Sequence, residues 1–213
     1  MPHQLLKKII GILASVFIIS VAYYGTFLPL KKSQSFISAL RNLRSATSLQ
    51  EFERILSEPL GIPSPIGQEE LVRNSANVAL SIVQQNNKPE IISAVVDYVE
   101  EKFAPLIARG TGMSFEQNLY ILATINQLAF AKTGQANYFL AAKKYYSRGL
   151  ELGPKRPQFL YGMFDVYRTE GNVEASKAIA AQILSQWPDD ERTREGLQKF
   201  LDFIAAQEKA TNK

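Results

Sequence analysis

The chain of 213 residues contains no cysteine and a single histidine, His3. The lack of cysteine excludes disulfides, thiolate metal sites and cysteine nucleophiles. One histidine near the N-terminus excludes histidine triads and the common zinc sites, and it removes the usual general base at neutral pH. Catalysis would have to use carboxylates, lysine or tyrosine, and no spacing among these is typical of a catalytic site. We therefore expect a protein that is not an enzyme and that uses no cofactor and no metal ion.

Acidic residues are also missing from the start of the chain, since none precedes Glu51. The formal net charge of +4 is accounted for by four early lysines, Lys7, Lys8, Lys31 and Lys32. Residues 33–213 carry 20 basic and 20 acidic side chains, so this part is neutral. Binding to a phosphate backbone needs a basic surface. We therefore do not expect a nucleic acid as partner.

An uncharged run of 22 residues extends from Ile9 to Leu30. At about 1.5 Å per residue, a helix of this length crosses a hydrocarbon core of about 30 Å. Lysines flank both ends of the run and are expected to place their ammonium groups at headgroup depth, Lys7 and Lys8 on one side and Lys31 and Lys32 on the other. The pattern predicts a membrane anchor over residues 1–32 and a single-pass protein.

Two other interpretations of this run stay open. A cleavable signal peptide fits the positive start and the small residues Ser20 and Ala22 around Val21. The run continues to Leu30, however, which favours an uncleaved anchor. A buried core helix is disfavoured because such helices rarely extend so far without a polar face.

The rest of the chain has helical periodicity and no sustained strand alternation, which predicts an all-α fold. Ser48 and Glu51 form a capping box for a short helix. Pro89 fits the first turn of a later helix, which Pro105 should end or kink. A stretch rich in proline and glycine covers residues 59–67. We therefore predict juxtamembrane helices and a connector over residues 33–66, followed by a helical repeat domain over residues 67–213.

Two prolines that end helices, Pro154 and Pro188, lie 34 residues apart, with a glycine break at Gly171 between them. This period is that of a tetratricopeptide unit, in which two helices form a hairpin. The segment resembles that pattern at Leu160, Met163, Tyr167, Gly171, Asn172, Ser176 and Pro188. The resemblance implies an α-solenoid, an architecture that holds other chains.

The resemblance has departures that make the predicted solenoid irregular. Phe164 occupies a normally small position and Ala180 a normally large one, which suggests a volume exchange between facing helices. The preceding unit fits only with extra length around residues 133–138. A final helix over about residues 189–208 is expected to cover the end of the stack. The predicted fold class is thus all-α, with an N-terminal transmembrane helix followed by an irregular tetratricopeptide-like α-solenoid.

In tetratricopeptide stacks the first helix of each pair lines a concave groove. The matching positions are expected to bind a protein or peptide partner: Gln158, Tyr161, Asp165 and Arg168 in one unit, and Gln117, Tyr120, Thr124 and Gln127 in the previous unit. Their spacing of three or four residues places each set on one helical face. An ordinary solvated face is the competing interpretation.

Acidic residues at positions 189–191 are the nearest approach to a metal site. Negative charge at the start of a helix is favourable to the helix dipole, so we interpret Asp189, Asp190 and Glu191 as a helix N-terminus. Trp187 ends an apolar helical stripe and is expected in the core.

The order of features along the whole chain resembles a known membrane family. An anchor, the helix of residues 49–56, a proline-rich link, the segment 67–73 (GQEELVR) and a repeat with residues 147–157 are similar to the carboxyl-terminal tails of O-antigen ligase and polymerase family proteins. The family's catalytic machinery lies in multi-spanning helices and their loops. The resemblance therefore implies an accessory domain without transferase activity, a separate or truncated product.

The resemblance also bears on membrane orientation. It implies that the repeat domain is extracytoplasmic. The positive-inside rule points the other way, because two lysines precede the anchor and four basic residues follow it, Lys31, Lys32, Arg41 and Arg44. We follow the resemblance.

Three functions remain from the sequence. The first is a membrane-anchored tetratricopeptide scaffold in the cell envelope, accessory to O-antigen or other surface-polysaccharide assembly. The second is a membrane-anchored assembly factor near the translocon or the respiratory complexes. The third is an envelope hydrolase, because composition alone does not exclude paired carboxylates.

Overall fold

A computed structural model describes residues 2–43 and 48–211 of the chain. Arg44 and the side chain of His3 lie outside the described part. Regular structure within these ranges is helical throughout: α1 (Pro2–Ala22), a π-helical segment (Tyr23–Phe27), α2 (Leu28–Asn42), α3 (Leu49–Leu60), α4 (Gln68–Gln85), α5 (Pro89–Arg109), α6 (Phe115–Thr133), α7 (Ala136–Leu152), α8 (Pro157–Thr169), α9 (Val173–Gln186) and α10 (Glu191–Thr211). The all-α class is therefore confirmed.

The first elements form one continuous helix of 39 residues, Gln4–Asn42, which is long and apolar enough to cross a membrane. Its large apolar side chains are exposed, for example Phe17 at 69%. In the π-helical segment the Leu28 N–H donates to the Tyr23 carbonyl, five residues back. Pro29 cannot donate to Gly25, and its ring would crowd that carbonyl, so the widened turn relieves a local conflict.

The C-terminal part of this helix, α2, packs against α3. Lys32, Phe36 and Ala39 are buried on one face of α2. Lys32 is 3% exposed, and its Nζ donates to the Ile62 carbonyl at 2.9 Å and to the Gln68 side chain. The ammonium group of Lys32 thus has protein acceptors, and its predicted headgroup depth stays a prediction.

The chain forms two compact units. The first comprises residues 1–82 and 97–114, and the second comprises residues 83–96 and 115–213. In the first unit Phe52 packs edge-on against Tyr98, with a centroid distance of 5.9 Å. The predicted boundaries at residues 32 and 66 stay predictions.

Two predicted helix starts agree with the structure, and one helix continues past the proline that we expected to end or kink it. The Ser48 side chain accepts from the Glu51 N–H at 3.1 Å and caps α3, as the capping box predicted. α5 begins at Pro89 and continues through Pro105 to Arg109 instead of ending at the proline. Leu106 is 5% exposed, so its burial holds the last turn in place despite the missing N–H of Pro105.

In the second unit, helices that follow each other along the chain pack against each other. α6 packs on α7, α7 on α8, α8 on α9 and α9 on α10, and α6 also contacts α8. Gly171 has a φ of 70° in the turn between α8 and α9, and Asn172 caps α9 by accepting from the Ala175 N–H at 3.0 Å. Pro154 and Pro188 lie in turns, as predicted.

The helices before Pro154 are longer than the two that follow it. We expected additional residues around positions 133–138, but α6 and α7 have 19 and 17 residues and are separated only by Gly134 and Gln135. The helices α8 and α9 have 13 and 14 residues. The sequence match could not place the insertion because added helical turns keep the periodicity.

Candidate partner-binding surface

A cleft of about 470 Å³ lies between α8 and the first half of α10. One face of α8 is buried through Phe159, Leu160 and Met163. The half-buried residues Tyr161 and Asp165 lie toward another side, where they line the cleft. We call this cleft, with its walls from both helices, the α8–α10 cleft.

Tyr161 connects the α8 wall to the start of α10. Its hydroxyl donates to Asp190 Oδ2 at 2.6 Å, and its ring stacks on Trp187 with a centroid distance of 6.2 Å. The hydrogen bond to Asp190 raises the pKa of Tyr161, and the same bond lowers the pKa of the Asp190 carboxyl. Asp190 also accepts from the N–H and hydroxyl of Thr193, at 3.2 and 2.8 Å. This carboxylate therefore caps α10, in agreement with the predicted helix N-terminus.

Arg168 lies at the other end of the α8 wall and contacts side chains of α8 and the backbone of α10. Its guanidinium pairs with Asp165, lies 4.5 Å from the centroid of the Phe164 ring and donates to the Gly196 carbonyl at 3.5 Å. The Nε of Arg168 is buried and has no hydrogen-bond partner within the described ranges.

The large side chain of Phe164 is matched by a glycine of α10. A Cβ built on Gly196 would lie 3.3 Å from the Phe164 ring. We had suggested that Phe164 exchanges volume with Ala180 of the facing helix. The missing side chain of Gly196 thus leaves room for this ring, a role that the sequence did not reveal, and the suggested exchange with Ala180 stays a prediction.

The mouth of the α8–α10 cleft is charged but balanced. The cations are Arg168, Arg192 and Lys199, and the acids are Asp165, Glu191 and Glu195. The α10 members are exposed. We expected α10 only to cover the end of the stack, so its contribution to this wall was missed; its alternating charges were the available signal. Of the four residues predicted on α8, Gln158 does not line the cleft.

The four residues predicted on α6 have different surroundings. Gln127 Oε1 accepts from the Tyr146 hydroxyl of α7 at 2.6 Å. Tyr120, 38% exposed, packs edge-on against Phe159 of α8 with a centroid distance of 6.2 Å. Thr124 Oγ1 donates to a carbonyl of its own helix, and Gln117 is exposed. On the α6 face, two of the four residues, Tyr120 and Gln127, thus contact side chains of neighbouring helices, and partner binding by Gln117, Tyr120, Thr124 and Gln127 stays a prediction.

Tyr146 is the buried centre of that packing. Burial raises its pKa to about 12. A Cβ on Gly162 of α8 would lie 2.3 Å from the Tyr146 ring, and one on Gly149 of α7 would lie 2.2 Å from the Phe159 ring. Each glycine leaves room for an aromatic ring of the neighbouring helix. In the sequence, the signal for this packing is a glycine inside a helical pattern.

Comparison with protein-family models, with curated proteins and with solved structures found no match. The similarity to tetratricopeptide units and to O-antigen ligase tails therefore rests on the motifs quoted above.

Proposed function

We propose that this protein is a membrane-anchored helical scaffold that binds a protein or peptide segment in the α8–α10 cleft. The observation that carries the proposal is the composition of that cleft, in which Tyr161, Asp165 and Arg168 of α8 face a charged stretch of α10. A volume of about 470 Å³ accommodates a few side chains of a partner. The mixed charges suit a segment that carries both signs, whose charges would exchange with the ion pairs that Arg168 forms with Asp165 and Lys199 with Glu195.

The tetratricopeptide-like solenoid is part of this proposal. It is supported by the spacing of Pro154 and Pro188, by the positive φ of Gly171 and by the full burial of Ser176 where α8 and α9 approach. The order of helix packing from α6 to α10 is what stacked hairpins require. Repeats of this kind hold partners on surfaces built from successive helices.

The anchor is the second part of the proposal. The helix Gln4–Asn42 is exposed through its apolar stretch, so a bilayer would cover side chains that the described residues leave uncovered. We further propose an extracytoplasmic repeat domain and a role accessory to surface-polysaccharide assembly, as the family resemblance implies. A reporter fused after Lys213 tests the orientation. Alkaline phosphatase activity supports the proposal, and fluorescence of a reporter that matures only in the cytoplasm contradicts it.

Site-specific photo-crosslinking in native membranes tests the binding function. A photoreactive amino acid at Lys199, which lines the cleft, should capture a defined partner. The same residue at the neighbouring Gln198, which is exposed but does not line the cleft, is the matched control. Equal capture at both positions, or none at Lys199, would contradict the proposal. Polysaccharide polymerases among the captured proteins support the proposed setting, whereas translocon or respiratory subunits point to the assembly-factor alternative.

A further inference from the structure

Two exposed apolar side chains of the first unit lie beside the end of the proposed anchor. Ile66 is 61% exposed and Met113 is 103% exposed, although both are large and apolar. Both line one depression of about 580 Å³, whose wall also includes Pro29 and Lys32 of α2. Single apolar side chains on a surface are ordinary, but these two share a site next to an apolar span.

The connector that carries Ile66 is fixed at the level where the uncharged run ends. Lys32 follows Leu30 by two residues, which is about 3 Å along a helix. Its buried Nζ binds the Ile62 carbonyl and the Gln68 side chain, on either side of Ile66 in the sequence. The Ser64 hydroxyl donates to the Ile66 carbonyl at 2.8 Å and closes the local turn. The position of Ile66 relative to the helix is therefore set by hydrogen bonds.

The loop that carries Met113 is fixed to the same region through Glu69. The Glu69 carboxylate pairs with Arg109 and accepts from the Ser114 N–H at 3.4 Å. Arg109 Nε also donates to the Thr111 carbonyl at 2.9 Å. A Cβ on Gly112 would lie 2.5 Å from Glu69 Oε1, so the loop approaches α4 closely. These contacts hold the backbone on both sides of Met113 while its side chain stays exposed.

We propose that Ile66 and Met113 insert into the lipid interface beside the anchor, so that the first unit rests on the membrane surface. The inference depends on the proposed anchoring by the Gln4–Asn42 helix. The headgroup region adds roughly 5 to 8 Å on each side of the hydrocarbon core. Lys32 lies about 3 Å beyond the apolar run, so side chains held beside it lie within that layer. The Lys32 and Arg109 cations and the Glu69 and Glu70 anions of the same wall cancel, so the partner is a lipid surface in general and not an anionic lipid.

The absence of cysteine makes the test direct, because single cysteines can be introduced into the full chain. The variants are Ile66→Cys, Met113→Cys, the aqueous control Asn77→Cys on the exposed side of α4 and the lipid control Phe17→Cys. Each is reconstituted in phosphatidylcholine vesicles. The first readout is the reaction rate with a charged, membrane-impermeant maleimide. The second is quenching of an attached fluorophore by lipids that carry a nitroxide at a shallow or a deep acyl position.

The expected result is that Ile66→Cys and Met113→Cys react roughly tenfold or more slowly than Asn77→Cys and are quenched by the shallow nitroxide, because inserted side chains reach only the outer acyl region. Rates equal to that of Asn77→Cys would overturn the inference, and so would slow reaction without lipid quenching, which would mean that protein covers the two residues. Phe17→Cys separates the two proposals. If Phe17→Cys is quenched by the deep nitroxide while Ile66→Cys and Met113→Cys are not quenched, the anchor is supported and the insertion of Ile66 and Met113 is contradicted. If Phe17→Cys is not quenched, the anchor itself is wrong.

Discussion

The α6 face and the α8 face of the second unit have the same spacing of candidate residues but different surroundings. Both sets follow the positions i, i+3, i+7 and i+10, from Gln117 to Gln127 and from Gln158 to Arg168. On α6, Gln127 and Tyr120 contact aromatic side chains of α7 and α8. On α8, Asp165 and Arg168 face the α8–α10 cleft. Polar and aromatic periodicity thus places residues on one face of a helix, but it does not say whether protein or solvent lies against that face.

Helix length accompanies the difference between the faces. α6 and α7 have 19 and 17 residues, and the aromatic rings of Tyr146 and Phe159 pack at helix glycines beside the α6 face. α8 has only 13 residues, and its neighbour α10 approaches it through small or polar groups, Gly196 and Asp190. The α8–α10 cleft lies on this side of α8, and we assign partner binding to it.

The largest expected effect at neutral pH comes from filling the space beside Gly162 that the Tyr146 ring occupies. In Gly162→Ala the new Cβ would lie 2.3 Å from the buried Tyr146 ring. We expect the free energy of unfolding to fall by about 2 kcal/mol, because overpacking outweighs the roughly 1 kcal/mol that alanine gains in a helix. Urea denaturation followed by circular dichroism measures the change. Gly153→Ala is the control, since its nearest neighbour is the flexible side chain of Arg156, and an equal loss in both variants would contradict the explanation.

The second prediction concerns the hydrogen bond between Tyr146 and Gln127. In Tyr146→Phe this bond is lost, which should cost about 1 kcal/mol at neutral pH. The pKa of Tyr146 is raised to about 12 in the folded protein, so its stabilising effect is complete below the unfolded value near 10 and is lost as the pH rises toward 12. Wild type should therefore lose about 2 to 3 kcal/mol more than Tyr146→Phe over this range. If the free energy of unfolding of both proteins fell equally as the pH rises from 10 to 12, the Tyr146 hydroxyl would not be buried.

The smallest expected effect lies at the α8–α10 cleft. In Tyr161→Phe the Asp190 carboxyl loses a donor, so its pKa should rise, which carboxyl NMR titration measures directly. The folded pKa of Asp190 is lowered from 3.8, so its contribution is present above that value and is lost as the pH falls through the folded pKa. Tyr161→Phe should therefore lose less stability in acid than wild type. An unchanged Asp190 pKa would mean that the two side chains do not interact in solution.

The sequence predicted the helices well because their ends carry local chemistry. Ser48, Pro89, Gly171 and Asn172 act within one turn, and each occupies its predicted place. Pro105 is different, since burial of the following Leu106 overrides the local signal.

The candidate site was predicted less completely because it depends on neighbours distant in sequence. Tyr161, Asp165 and Arg168 were placed on one face of α8, but the opposite wall comes from α10, about 30 residues later. Gly149 and Gly162 show the same limit of sequence-based prediction. A glycine inside a helix indicates that another group packs closely, but the sequence does not identify which aromatic ring it is.

The most direct test of the account compares the two faces in one crosslinking experiment. A photoreactive residue at Lys199 reports on the partner, and Arg168→Glu is compared with Gln117→Glu, a charge added to the α6 face at an exposed position. Circular dichroism confirms that both variants are folded. We expect Arg168→Glu to lower the crosslink yield by about tenfold, because the cleft loses one cation and gains an acid, and Gln117→Glu to leave the yield unchanged. Loss of the crosslink in Gln117→Glu with full yield in Arg168→Glu would contradict the assignment of binding to the α8–α10 cleft.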